Sequence, residues 1–121
     1  MADYREISQG YAHQGINAAF LINGGAAIAL LSQASDLREG GLGTVVATAM
    51  LIWAAGTLLA SATWLLAFVS TRYVDKSERE EHLEEAHLAR SNAYMMASVI
   101  TVMVSLGLFA AGCAALSFGF L

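Results

Sequence analysis

Charged side chains leave three long gaps in this chain, and the gaps set its architecture. Between Gly15 and Ser35, between Leu42 and Thr71, and from Ser91 to Leu121 there is no Asp, Glu, Lys or Arg. A helix needs about 20 apolar residues to cross a bilayer. The pattern therefore predicts an all-α membrane protein with three transmembrane helices, over 15–35, 42–72 and 91–121. An N-terminal amphipathic arm over 1–14 precedes them, with Tyr4, Ile7 and Tyr11 on one face. A glycine-containing turn over 36–41 joins the first two spans, and a charged hairpin or helix over 73–90 joins the last two. In that second connection Ser77 and Glu80 have capping-box spacing. This predicts a break near 75–77, then one helix that projects before entering the third span.

Within the spans, side-chain size is patterned. Asn23, Gly24 and Gly25 interrupt the apolar run of the first helix, beside Ala18, Ala19, Ala26 and Ala29. Phe20, Leu21, Ile28 and Leu31 fall on the opposite, lipid-facing side. In the second helix Ala49, Gly56, Ala60, Thr63 and Ala67 form another small stripe. In the third, Ser98, Ser105, Gly112 and Gly119 recur every seven residues, flanked by Thr101, Leu108 and Ala115. Small residues let membrane helices approach closely, and an amide can bond across the contact. Asn23, Gly24, Gly25, Gly56 and Ala60 are thus the expected packing residues. A heptad seam suits packing of identical helices, so a homo-oligomeric bundle is expected. If third helices surround an axis, Ser98, Thr101, Ser105, Leu108 and Gly112 are the pore-lining candidates, with Leu108 narrowing the path. The same seam is equally compatible with dry packing.

Composition agrees with a membrane protein. The chain is 57% hydrophobic and 13% charged, without proline, against about 25% charged in soluble domains. Arg5, Arg72, Lys76, Arg79 and Arg90 share one side, and only Arg38 lies on the other. The positive-inside tendency predicts a cytoplasmic N-terminus and an external C-terminus, with no cleavable signal. It makes the second connection cytoplasmic and the first external. Acids outnumber bases in 73–90, which argues against that segment lying flat on anionic lipid.

Several chemistries lose support. No ionisable residue occupies the middle of a span, which disfavours proton relays, coupled carriers and voltage sensors. His13, His82 and His87 all lie outside the span centres, where haem ligands would be needed. Glu84-x-x-His87 is half of a di-iron pattern and reads as a solvated helix face. Cys113 has no second cysteine to pair with. No phosphate-binding loop or nucleophile–base spacing is present, so an enzyme, a metal site and a cofactor are not expected.

Leu21–Leu31, "LINGGAAIALL", resembles a first-helix signature of small bacterial membrane proteins of anti-phage defence loci, above all the membrane effectors of Hailong systems. The resemblance covers about a dozen residues and the three-span layout. It implies an oligomeric channel in the bacterial inner membrane, held shut by a DNA oligomer that a partner nucleotidyltransferase makes. Release of that ligand on infection would depolarise the host membrane. It also makes Arg72, Lys76, Arg79 and Arg90 the ligand-binding candidates, with Arg5 in reserve, although eight acids share that side. The alternative reading is a non-conducting scaffold or anchor subunit that docks a soluble partner through the charged connection. A holin-like permeabiliser is a third.

Overall fold

The computed structural model describes residues 4–121, apart from the side chains of Tyr4, Arg5 and Ser8. Three long helices, α1 (Tyr4–Glu39), α2 (Gly43–Arg79) and α3 (Glu84–Gly119), follow one another as antiparallel neighbours. Each is long and apolar enough to cross a membrane. With 36 or 37 residues apiece, each extends about 55 Å, well beyond a hydrocarbon core of about 30 Å. The absence of proline removes the commonest cause of a sharp kink.

The α1–α2 turn is a Schellman motif. Leu42 N–H donates to the Leu37 carbonyl at 2.9 Å and Gly41 N–H to that of Arg38 at 3.1 Å. Gly41 takes the left-handed conformation, φ 84°, that this motif places after a helix. Leu37 and Leu42 then pack against the Leu30–Val46–Ala49–Trp53 core, giving the turn its usual apolar contact. Helix α1 reaches Glu39, so the expected turn over 36–41 is shorter and begins later.

Two further boundaries differ from expectation. The arm over 1–14 is no separate element, because α1 runs unbroken from Tyr4, and Ile7 and Tyr11 are exposed. The expected break near 75–77 lies instead at Glu80, followed by a short 3₁₀ turn, Glu81–Leu83. Ser77 is buried inside α2, and its hydroxyl donates to the Val74 carbonyl at 2.6 Å. It ends a row, Ala49, Gly56, Thr63, Ser70 and Ser77, spaced seven apart and buried throughout. Packing of that row outweighs the local capping preference. Only seven residues of α3, Glu84–Arg90, precede its uncharged run, about 10 Å of helix. The extension is therefore a two-helix hairpin shared with the end of α2.

That row meets its counterpart on α3, where Ser91, Ser98, Ser105 and Gly112 are buried at the same seven-residue spacing. A small residue on one helix repeatedly receives a larger side chain from the other. A Cβ on Gly112 would overlap the Trp53 indole, and one on Gly119 would overlap Val45. Trp53 Nε1–H donates to the Phe109 carbonyl at 3.0 Å, which fixes the indole over the glycine. The heptad seam of α3 is thus filled by α2 of the same chain.

Among the described side chains of α1 the buried ones are Ile16, Ala19, Asn23 and Leu30. Leu21, Ile28 and Leu31 are exposed, as their spacing suggests, but Phe20 is half-buried against Trp64, with ring centroids 5.3 Å apart. Ala18, Gly25 and Ala29, expected in the contact, are exposed. Gly25 has no atom within 4 Å of where a Cβ would stand. Substituting alanine at the two glycines should therefore give opposite results. Gly112→Ala is expected to destabilise the fold by about 1–3 kcal/mol through overpacking. Gly25→Ala should be neutral or stabilising by up to about 1 kcal/mol, the helix-propensity gain. Reversible unfolding in mixed micelles measures both, and equal losses would contradict the assignment.

Candidate functional site

The polar residues buried inside the spans form a ladder between the helices, with one node at its centre. Asn23 is completely buried, as is Ser105. Asn23 Nδ2 donates to the carbonyls of Ala19 at 3.0 Å and Ser105 at 3.1 Å, and shares a hydrogen with Ser105 Oγ at 3.3 Å. Ser105 Oγ in turn donates to the Gly56 carbonyl at 2.7 Å. One residue from each helix thus meets at one point. Gly56 is required there because a Cβ would overlap the Asn23 amide. Among the described residues Asn23 Oδ1 has no conventional donor, and it packs where that Cβ would stand, a position open to a weak Cα–H contact.

Other rungs lie on either side. Thr63 and Thr101 hydroxyls are 2.8 Å apart. Ser70 Oγ is 2.9 Å from the Ser91 carbonyl, to which it donates, and 3.0 Å from Ser91 Oγ. Ser98 Oγ is no rung, since it donates within α3 to the Met95 carbonyl at 2.8 Å. In hydrocarbon each hydroxyl needs a partner, and these find theirs within the chain.

This arrangement revises the pore assignment. Ser98, Ser105 and Gly112 are buried against the chain's own helices, Thr101 is bonded to Thr63, and Leu108 is half-buried. In this conformation the complementary row on α2 already occupies the seam, so Ser98, Ser105 and Gly112 face the inside of the chain. Of the packing candidates, Asn23, Gly56 and Ala60 are in the contact, the last completely buried. Gly24 lies against Thr57, 3.8 Å from the position of its Cβ. Gly25 is outside it. Asn23 was legible as a packing residue; its partner Ser105 was visible only as a seam member. The pairing itself needs the antiparallel register, which spacing within one helix does not give.

The four cations expected to bind ligand are divided. Lys76 Nζ lies 5.1 Å from the Tyr73 ring centroid and the Arg90 guanidinium 5.8 Å, so α2 and α3 bring these two to one aromatic ring. Tyr94 stacks on the same ring at 5.6 Å. Arg79 pairs with Asp75 at 2.7 Å, and Arg72 is exposed. The reserve candidate, Arg5, lies outside the described side chains. His87 Nε2 meets Glu80 Oε2 at 2.9 Å, closing the hairpin end. That hydrogen bond holds the Glu80 carboxyl below the ordinary 4.5, aided by the charges of His87, His82 and Lys76 and opposed by desolvation. Glu84 is exposed and makes no metal cluster with His87 among the described residues.

The node makes a quantitative expectation. A double-mutant cycle of Asn23→Ala and Ser105→Ala, which removes the side-chain contact and keeps the Ser105 carbonyl, should give a coupling of about 0.6 kcal/mol, the average for hydrogen bonds between membrane helices. Unfolding in mixed micelles reads it, and additive losses would show that the two side chains act separately. No family model, curated protein or solved structure matches this chain.

Proposed function

We propose that the chain is the subunit of a homo-oligomeric, membrane-permeabilising effector of the bacterial inner membrane, acting in anti-phage defence. The observation that carries self-association is a second patterned face on α1. Gly15, Ala18, Ile22, Gly25, Ala29, Ser32 and Asp36 alternate at three and four residues, and all are exposed. Lipid tails offer no hydrophobic drive for helix association, so small faces of this kind favour close contact with another helix. In this reading the copies meet through α1, with the N-terminus cytoplasmic as the arginine and lysine distribution favours. The permeabilising role and its nucleotide-derived gating ligand rest on the first-helix resemblance. Lys76 and Arg90, gathered at Tyr73 and Tyr94, are the best placed cations for an oligonucleotide, which aromatic rings and basic side chains bind together. Arg72 and Arg79 lie outside that ring cluster and are secondary candidates.

One observation favours the scaffold reading instead: the seam hydroxyls of α3, at Ser91, Ser98, Thr101 and Ser105, are bonded within the chain. A non-conducting anchor needs no polar pore, and its charged hairpin would dock a soluble partner.

Membrane potential separates the readings. Expression of the chain without its partner should depolarise cells, and Gly25→Leu, which the chain's own fold accommodates, should abolish depolarisation together with cross-linkable oligomers. An unchanged potential on expression of the wild type would contradict the effector reading and leave the scaffold.

A further inference from the structure

Helices α1 and α3 are tied by side chains at Asn23 and Ser105, and on the charged side of that tie they part. A cleft of about 460 Å³ opens there, with α2 as its floor. Its walls are Ala12 and Ile16 from α1, Trp64 and Phe68 from α2, and Met95 and Val99 from α3. A smaller space of about 170 Å³, sharing Ala12, Ile16 and Val99, continues it toward Val102. The opening follows from side-chain size: Ala12 and Gly15 are too short to bridge to α3, and Gly15 has no atom within 4 Å of its Cβ position. The volume is in the range of small-molecule sites, about 300–1,000 Å³.

Three features select an occupant. The walls are largely apolar, so water has too few partners to fill the space. Phe68, Met95 and Val99 are themselves exposed, so the cleft opens sideways, in a bilayer toward lipid tails. Its outer end is polar: Gln9, His13 and Thr71 line it, and Arg72, the first charge after the uncharged run of α2, follows directly. Among the described residues no acid is on the wall; Glu6, three residues before Gln9 on α1, has a partner of its own within the chain, and Asp75, the nearest acid along α2, is paired with Arg79. The first acid back along α3, Glu85, is ten residues before Met95, about 15 Å along the helix. The mouth therefore complements a phosphate.

We propose that this cleft binds one anionic phospholipid, an acyl chain lying between α1 and α3 and the phosphate meeting Arg72. The bound chain replaces the contact that α1 does not make with α3. This site is independent of whether the protein conducts.

The test is native mass spectrometry of the full chain, extracted in mild detergent supplied equally with phosphatidylglycerol and phosphatidylcholine. One phosphatidylglycerol per chain should be retained, with about a fivefold preference from the one arginine charge. Ala12→Phe, which fills the cleft, should remove it, whereas Leu58→Phe on the exposed face of α2 should not. Arg72→Gln should keep the lipid but level the two headgroups. Val99→Trp fills the cleft from the α3 wall if Ala12→Phe fails to fold. Absence of stoichiometric lipid, equal retention of both headgroups by the wild type, or equal loss in the filling and control variants would each overturn the proposal.

Discussion

A primary amide buried among apolar helices must find acceptors inside the protein. Asn23 finds them on its own helix and on α3, and the rest of the packing is arranged around that requirement. Its two hydrogens reach the carbonyls of Ala19 and Ser105 because α2 gives way at Gly56, where any side chain would collide with the amide. Ser105 then returns a hydrogen bond to α2 through its hydroxyl. A leucine at position 23 would supply area but no such direction, and direction is scarce where lipid tails and leucine side chains are equally apolar. The node sets the register of all three helices at once.

From that register the remaining contacts follow as alternations of size. Trp53 covers Gly112 and Val45 covers Gly119, while paired hydroxyls join Thr63 to Thr101 and Ser70 to Ser91. The seam continues beyond the uncharged runs, where Ser77 remains buried and His87 closes on Glu80. Continuity of the seam keeps α2 helical past the point at which its capping signal suggested a break.

Much of this was readable from the residues, and the misses have a common cause. Three charge-free runs gave three helices, and the Gly40–Gly41 pair gave the first turn, because these depend on local chemistry. The heptads of Ser98, Ser105 and Gly112, and of Ala49, Gly56 and Thr63, were visible too. Spacing identifies a face but not its partner, so a seam filled by the neighbouring helix of the same chain looked the same as one awaiting another copy. Gly25 was counted with Asn23 as a packing residue, but the two stand about 200° apart around the helix, and Asn23 faces α3 while Gly25 is exposed. Ser77 misled for a different reason: a serine followed by a glutamate three residues on is a start signal only where tertiary packing does not continue the helix.

The division of faces shapes any functional account. Ser91, Ser98 and Ser105 of α3 serve the inside of the chain, the exposed small face of α1 is where the proposed contact between copies would lie, and the hairpin end gathers Tyr73, Tyr94, Lys76 and Arg90. The claim beneath all of this is that α2 and α3 of one chain fill each other's seam. Cross-linking tests it directly, with Thr63→Cys and Thr101→Cys introduced together in a Cys113→Ser background. Oxidation in the membrane should give a disulfide within one chain that migrates as a monomer and is unaffected by dilution with cysteine-free chains. Disulfide-linked dimers that disappear on such dilution, with no internal bridge, would contradict the account.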